Sequence, residues 1–327
     1  MDDARRRPDD QAVHAPCFAP FVRRLGVAGA GVALVAVVAT ALAVPRVARA
    51  DCELIISEYV EGSALNKVIE IQNALDSPLD LAAGGYQIVI YLNGCTASST
   101  TIDLVGTIPP HDAFVLAHPR AAASILPLAD QLADTLWFDG DDALALVKPG
   151  GVILDVVGQI GFDPGLEWGS GSVSTADNTL RRQNGVAEGD HDGSDPFDPA
   201  TGWDGYATNS FDNLGVPNAA PSCGPTGVSN SRGDPGTRLY SPRPNPSGVE
   251  SRLGFSLRTP GTVRMVVADV ASRLVRVLAQ GQFASGAHVV HWDGRDDAGR
   301  PVGSGVYFVR LESGGTRLER TLIRINR

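Results

Sequence analysis

The densest group of side chains that could do chemistry lies in a short polar stretch near position 190. Carboxylate oxygens at this density could bind calcium, because hard cations prefer oxygen ligands. The same residues also suit a solvated loop in which aspartates cap turns, and we favour this second interpretation. The six titratable residues are Glu188, Asp190, His191, Asp192, Asp195 and Asp198.

A second acidic group follows the aromatic pair Trp137-Phe138. It consists of Asp139, Asp141 and Asp142. Turn formation is again the favoured interpretation over metal binding. We therefore predict no metal-binding residues in either group.

The histidines offer little for catalysis. His288 and His291 are three residues apart on a predicted strand, so their side chains point to opposite faces and do not share a metal. His111 and His118 flank another predicted strand and are expected to be surface or capping residues. The sequence also lacks the H-E-x-x-H, G-x-S-x-G, Walker and C-x-x-C motifs. We predict that the protein is not an enzyme, and that it has no catalytic or cofactor-binding residues and no cofactor.

The first fifty residues have the order of a secretory signal. Five arginines precede an uncharged stretch from Val27 to Val44, and Ala48-Arg49-Ala50 places small residues at a cleavage site. We predict a signal peptide over 1–50, with the Sec and twin-arginine routes both open. A membrane anchor is the alternative, since the 18-residue stretch Val27–Val44 just reaches spanning length. The cleavage site favours the signal peptide, so no stable membrane span is expected in the mature chain.

The distribution of charge divides the mature chain. Residues 51–230 hold 5 basic and 25 acidic side chains, a net charge of −20, whereas residues 231–327 hold 15 basic and 8 acidic ones, a net charge of +7. A change this sharp indicates two modules. The acidic first module is a poor match for the phosphate backbone, so no nucleic-acid binding is expected.

The cysteines of the mature chain are Cys52, Cys95 and Cys223. In an exported protein they predict one disulfide and one remaining thiol. We favour Cys52–Cys95, and Cys223 could replace either partner.

Short apolar runs separated by turn residues predict the elements that position these groups. Seven or more strands without helical crossovers indicate an antiparallel sandwich. A turn or two of helix is expected within Pro119–Leu132, and long loops with aromatic anchors are expected over 161–215. The predicted strands are Leu54–Val60, Val68–Gln72, Tyr86–Leu92, Thr101–Val105, Ala113–Ala117, Ala143–Val147 and Val152–Val157.

A linker rich in proline, glycine, serine and asparagine is predicted over 217–239. The chain after it is compact, with six further strands in fewer than a hundred residues, which suggests a second immunoglobulin-like sandwich. The predicted strands are Leu253–Leu257, Val263–Val270, Leu274–Leu278, His288–Trp292, Val306–Leu311 and Leu322–Ile325.

The first module, over about 53–216, resembles the lamin-tail domain in its bacterial extracellular form. The resemblance implies an immunoglobulin-like sandwich that works as a binding or scaffolding module without catalysis. Several motifs occur in the order of the family. They include Ile56-Ser57-Glu58-Tyr59, Asn66-Lys67-Val68-Ile69-Glu70-Ile71, Trp137-Phe138-Asp139-Gly140-Asp141-Asp142, Asp155-Val156-Val157-Gly158, Asn178-Thr179-Leu180-Arg181-Arg182 and Trp203-Asp204-Gly205-Tyr206.

The last module, over about 240–327, resembles the FlgD-like immunoglobulin fold and the related C-terminal sorting domains of type IX secretion. The family usually has glycine at the position of Ser272, so that turn is expected to differ slightly. The resemblance implies a sorting or spacer domain. It is carried by Pro244-Asn245-Pro246, Val270-Ala271-Ser272-Arg273-Leu274-Val275, His291-Trp292-Asp293-Gly294-Arg295-Asp296 and Gly305-Val306-Tyr307-Phe308.

Together these features predict an all-β protein of two immunoglobulin-like sandwiches, with boundaries 1–50, 51–216, 217–239 and 240–327. We expect a secreted or cell-surface binding or scaffold protein that contacts an extracellular protein or glycan, and that meets the secretion machinery through 240–327. The alternative is an accessory subunit of an extracellular nuclease or phosphodiesterase, or a cryptic calcium-dependent enzyme of that kind that uses the loop from Glu188 to Asp198.

Overall fold

A computed structural model describes residues 52–184, 186, 188–217 and 236–326. The predicted signal peptide, Cys223 and most of the predicted linker lie outside these residues. Within the described ranges, no helix is long and apolar enough to cross a membrane. The described chain consists almost wholly of strands and loops, which confirms the predicted all-β class.

All seven strands predicted between residues 54 and 157 are present. Two of them have the predicted bounds, and the others differ by one or two residues at their ends. Most of the apolar positions that predicted them are buried in the structure, and Val105 and Val152 are exposed exceptions. The strands of the first module are β1 (Leu54–Glu61), β2 (Lys67–Asn73), β3 (Leu79–Asp80), β4 (Gln87–Tyr91), β5 (Thr100–Asp103), β6 (Thr107–Ile108), β7 (Ala113–Ala117), β8 (Gln131–Leu132), β9 (Ala143–Lys148), β10 (Val152–Val157), β11 (Gly169–Ser170), β12 (Val173–Ser174), β13 (Thr179–Arg182) and β14 (Trp203–Tyr206).

Ten of these strands form two facing sheets, while β3 pairs with β6 and β11 with β12 in separate two-stranded sheets. The six-stranded sheet has the order β14-β13-β1-β2-β7-β8, and the four-stranded sheet has the order β10-β9-β4-β5. Pairing is antiparallel throughout both sheets except between β7 and β8. Fully buried side chains such as Ile56, Ile71, Ile88 and Leu144 belong to the core of this module.

The prediction of loops throughout 161–215 is wrong for four strands, the short pair β11 and β12 and the longer β13 and β14. β13 pairs with β1 and β14 pairs with β13, so both extend the six-stranded sheet. Two of the four residues of β13 are arginines, and this hid its strand character in the sequence. Arg181 and Arg182 are nevertheless buried, since each pairs with a carboxylate and lies over an aromatic ring.

Helix is confined to short turns in the described residues. The helix expected within Pro119–Leu132 is a single 3-10 turn at Leu126–Leu128. Pro127 in this turn has no amide hydrogen and so limits the run. A four-residue helix that the sequence did not predict, α1 (Leu81–Gly84), is capped by the side chain of Asp80, which accepts a hydrogen bond from Ala83 N at 3.0 Å.

The second module is a smaller sandwich with its own core. A three-stranded sheet of order β15-β16-β19 faces a four-stranded sheet of order β18-β17-β20-β21. Phe255, Met265, Trp292 and Val309 are buried in its core. Its strands are β15 (Thr237–Leu239), β16 (Ser251–Leu257), β17 (Gly261–Asp269), β18 (Leu274–Phe283), β19 (Gly286–Trp292), β20 (Gly305–Ser313) and β21 (Thr316–Arg324).

The second module begins earlier in the structure than the sequence predicted. β15 lies inside the range 217–239 that was predicted as linker. It pairs with β16, and Leu239 belongs to the core of the second module. A strand of three residues is too short to give a periodic signal, so it was missed.

Candidate functional site

Of the two acidic groups seen in the sequence, one comes together in the structure. It consists of Asp139, Asp141 and Asp142. One ligand atom from each lies within 4.8 Å of the others. The loop is positioned by Leu136 and Phe138, which are fully buried in the core of the first module. Asp142 is also buried, and its two oxygens accept hydrogen bonds from Asn93 N and Asp139 N, both at 2.9 Å.

The electrostatics of this acidic group favour bound protons near neutral pH. Burial raises the pKa of Asp142 to about 7, and the charge of Asp139 contributes. Burial, a hydrogen bond to Asp139 and the neighbouring charges raise the pKa of Asp141 to about 8. Three carboxylates this close relieve their mutual repulsion by sharing protons or by holding a cation. The prediction that no metal binds stays a prediction.

The acidic residues of the 188–198 loop do not form such a group. The hydrogen bonds that three of their carboxylates accept are local: Asp190 accepts from Asp192 N, Asp192 accepts from Ser194 N, and Asp198 accepts from Ala200 N, at 2.9–3.0 Å. These are turn-capping contacts of the kind that aspartates make with the backbone two residues further on. The hydrogen bonds from Ser194 hold the pKa of Asp192 below its usual value.

The histidines are dispersed and occupy structural positions. His288 stacks on Phe255, and His291 Nδ1 lies 3.0 Å from Glu250 Oε1. His118 was expected at the surface or as a cap. It is buried, and its Nδ1 accepts a hydrogen bond from Arg120 N, so only the capping part of that expectation holds.

Buried ion pairs are the main polar feature that the sequence did not reveal. Asp155 is fully buried on β10, and Arg182 of β13 donates to it. On the other face of β13, Arg181 Nε lies 3.3 Å from Glu58 Oε1. Burial raises the pKa of Glu58 to about 8, although the charge of Arg181 opposes the shift. These residues stand in the lamin-tail-like motifs, so the motifs located them, but no local pattern showed which residues pair.

The other polar cluster lies between the two modules. Arg243 of the second module is buried and reaches into the first, where its Nη1 donates to Asp130 Oδ2 at 2.6 Å and to Leu128 O at 2.7 Å. Ser241 N donates to Asp112 Oδ2 at 2.9 Å. We call this contact region the seam. The sequence contained no sign of it, because each of these three hydrogen bonds joins residues more than a hundred positions apart.

The cysteines of the described residues, Cys52 and Cys95, are both disulfide-bonded. Their pairing with each other stays a prediction.

The fold therefore defines a protein of two docked β-sandwich modules. Residues 48–161 match the family model of the Lamin Tail Domain, and residues 247–316 match that of the FlgD Ig-like domain. The chain thus carries a lamin tail domain followed by a FlgD Ig-like domain, which confirms the predicted resemblance and its order.

The comparison with solved structures finds similarity to the dimeric latent PorU from Porphyromonas gingivalis. The two share 12% sequence identity with a TM-score of 0.27, over 86% of this chain and 21% of that one. This chain therefore spans about a fifth of the length of that protein. No curated protein sequence matches this chain.

Proposed function

We propose that this protein is an exported, non-catalytic binding or scaffold protein. In this proposal the lamin tail domain contacts an extracellular or cell-surface partner, and the FlgD Ig-like domain serves as its sorting or spacer domain.

The observation that supports this proposal is that buried charged side chains form ion pairs within the protein. In the described residues, buried charged groups are engaged inside the fold: Asp155 with Arg182, Glu61 with Lys67, and Arg243 with Asp130. Pairs of this kind fix the position of strands and modules, whereas a catalytic group needs to face a cleft that admits substrate. The arrangement thus fits a rigid binding unit.

A surface for the partner is offered by the loops around the acidic group. Trp137 and Phe162 are 41% and 50% exposed, although aromatic side chains are usually buried. The Phe162–Asp163 segment packs against Gly94, and the charge of Asp163 acts on Asp141, so these loops meet at one end of the sandwich. Exposed aromatic residues beside carboxylates are typical of a surface that binds another molecule.

The binding proposal is tested with the full mature chain on a glycan array and in pull-downs from the cell surface fraction. A partner retained by the wild type and lost in Trp137→Ala or Phe162→Ala would support it. Leu132→Ala is a suitable control, because Leu132 is similarly exposed at 51% but lies on β8. Blank results in both assays would favour a purely structural role.

The enzymatic alternative is tested separately. The mature protein is assayed on nucleic acids and phosphoesters with and without calcium. No turnover is expected. Calcium-dependent turnover that Asp192→Ala abolishes would overturn the non-catalytic proposal.

The sorting proposal needs a test that leaves the first module intact, because Ser241 and Arg243 contact it. A reporter that carries the leader 1–50 at its N-terminus and residues 218–327 at its C-terminus provides this test. Delivery of this reporter beyond the periplasm would support sorting, and retention in the periplasm would contradict it. Omission of the leader should keep both the reporter and the full chain in the cytoplasm.

A further inference from the structure

The outer face of the six-stranded sheet is buried, although in an isolated sandwich it would face water. Ile55, Glu58, Glu70, Gln72 and Val115 point away from the core of the first module, and each is no more than 1% exposed. Burial of so many positions on an outer sheet face requires a cover. Among the described residues, Glu70 has hydrogen-bond partners, whereas Glu58 lies beside Arg181 and the Gln72 amide has none.

Part of that cover is the segment that ends the first module. Leu214 packs with Val60, Val68 and Val115 in a cluster on this face. Gly215 N donates to Glu70 Oε2 at 2.5 Å. The segment thus satisfies one of the two buried carboxyl groups.

The rest of the cover comes from two parts of the chain. Ala121, Ile125 and Leu128, between β7 and β8, pack in the same apolar cluster. The second module covers the neighbouring region, where it is held by Arg243. Besides its bonds to Asp130 and Leu128, Arg243 donates from Nη2 to Ala113 O at 2.7 Å. Ala113 is the first residue of β7, so the guanidinium of Arg243 binds the backbone at the start of that strand. Charge-assisted bonds of this geometry are about twice as strong as bonds between neutral groups.

Two further contacts fix the orientation of the modules. Asp112 is fully buried and accepts from both the backbone N and the Oγ of Ser241, at 2.9 and 2.6 Å. Arg252 of β16 donates to the backbone carbonyls of Phe211 and Asp212. Three separate anchor points prevent rotation of one module against the other.

Apolar packing fills the space between these anchors. Val216 is 3% exposed and lies directly against Gly254 of β16, where an added Cβ would stand 2.2 Å from Val216 Cγ2. Tyr240 is 2% exposed, and its hydroxyl donates to Pro217 O at 3.2 Å. The fit at Gly254 requires a residue without a side chain.

We propose that the outer face of the six-stranded sheet is a dedicated docking surface for the FlgD Ig-like domain, and that the two modules stay bound as a non-covalent complex when the chain between them is cut. The charges of the modules, −20 and +7, favour the encounter. The buried bonds of Arg243 and Asp112 give the complex its orientation. A cut within 218–235 would therefore leave the lamin tail domain covered. This inference is independent of the proposed partner binding and sorting.

The test uses the full mature chain with a specific protease site inserted within 218–235, which lies between the described parts. After complete cleavage the sample is passed over a size-exclusion column at about 1 μM, where a Kd of roughly 10 nM or lower keeps most of the fragments together. Co-elution of the fragments is expected. Separate elution of two folded fragments would overturn the proposal.

High salt and single substitutions provide two further tests of whether the buried contacts hold the fragments together. Co-elution should persist near 1 M salt, where the Debye length of about 3 Å removes surface attraction but not buried hydrogen bonds. Separation of the fragments at that salt concentration would contradict docking by the buried contacts.

Among variants, Arg243→Lys and Gly254→Val should each weaken the complex at least tenfold, and Arg276→Lys should not, because Arg276 pairs with Asp293 inside the second module. If Gly254→Val does not fold, Arg243→Lys and the milder Ser241→Ala decide the question. Wild-type affinity in both of these would also overturn the proposal.

Discussion

Arg182 on the six-stranded sheet pairs with Asp155 on the four-stranded sheet, so this ion pair joins the two sheets of the first module. Arg182 Nη2 donates to Asp155 Oδ1, its Nε donates to Ile56 O at 3.1 Å, and its guanidinium lies 3.9 Å from the ring centroid of Trp203. Asp155 also accepts from Ile56 N at 2.8 Å and Asp190 N at 2.8 Å. One buried carboxylate thus connects β10, β1, β13 and the 188–198 loop.

Asp155→Ala should strongly destabilise the first module. The substitution leaves Arg182 buried without its counter-charge and leaves the amides of Ile56 and Asp190 without an acceptor. Removal of one partner of a buried ion pair costs about 3–5 kcal/mol. The free energy of unfolding, measured by urea denaturation at pH 7, should fall by this amount.

Glu312→Ala is the matched control for this prediction. Glu312 Oε1 lies 3.8 Å from Arg317 Nε, and both side chains are about half exposed. An exposed pair of this kind contributes roughly 0–1 kcal/mol. A similar loss in the two variants would show that Asp155 has no special role.

The strands that the sequence predicted are those whose side chains are apolar. Ala113–Ala117 and Val152–Val157 have the predicted bounds because their apolar ends coincide with the ends of the sheet pairing. β13 was missed because its burial depends on Arg181 and Arg182, and an arginine reveals its partner only in the folded chain. Propensity describes local preferences, whereas ion pairs and stacking are tertiary.

For the candidate sites too, the sequence shows which residues are present but not which of them meet in the folded chain. Both acidic groups are visible in the sequence. The 188–198 loop is the denser of the two, but Asp139, Asp141 and Asp142 are the residues that converge. Their convergence depends on the buried anchors Leu136 and Phe138 rather than on the number of carboxylates. The seam was not predictable at all, because Arg243 and Asp130 are 113 positions apart.

Glu58→Gln should reduce the pH dependence of stability. Burial raises the pKa of Glu58 from 4.5 to about 8. Because the folded state then holds a proton that the unfolded state loses, the stability from this group is full below pH 4.5 and is lost as the pH rises towards 8. One such proton changes the free energy of unfolding by at most about 1.4 kcal/mol per pH unit.

The groups around Glu58 decide how clearly this effect is seen. Arg181 opposes the shift, whereas the nearby Glu70 and Asp212 support it, and Arg252 also acts on this cluster. Urea denaturation between pH 5 and 8 should give a shallower slope for Glu58→Gln than for the wild type. Equal slopes would show that Glu58 is ionised in the folded protein.

Ser272→Gly should stabilise the second module by up to about 1 kcal/mol. Ser272 has a φ of +60°, a conformation that favours glycine, which is the residue usual in the family. The gain is limited because the Ser272 hydroxyl accepts a hydrogen bond from Arg310 Nη2 at 3.0 Å. Ser272→Ala keeps the strained backbone and loses the hydroxyl, so its melting temperature should fall below that of the wild type. The melting temperature should be highest for Ser272→Gly, lower for the wild type and lowest for Ser272→Ala. A melting temperature of Ser272→Ala equal to or above that of the wild type would contradict the prediction.

Asp141→Asn should reduce the loss of stability that the wild-type protein shows between pH 5 and pH 8. Asp141 and Asp142 have pKa values raised from 3.8 to about 8 and about 7, mainly by burial. Their contribution to stability is therefore present below about pH 4 and is lost as the pH rises to 8. The asparagine variant no longer releases the proton of Asp141, so its melting temperature should decline less over this range. Asp192→Asn is the control, since the pKa of Asp192 is lowered and the group is already ionised throughout.

The same variants test whether the acidic group holds a cation. We expect millimolar calcium and EDTA to leave the melting temperature of the wild type unchanged at pH 6, because protons rather than a metal neutralise Asp141 and Asp142 there. Since a ligand that binds only the folded state raises its stability by mass action, any bound calcium would be visible in this measurement. A calcium-dependent rise that is present in Asp192→Asn and absent in Asp141→Asn would identify a cation site and contradict the prediction.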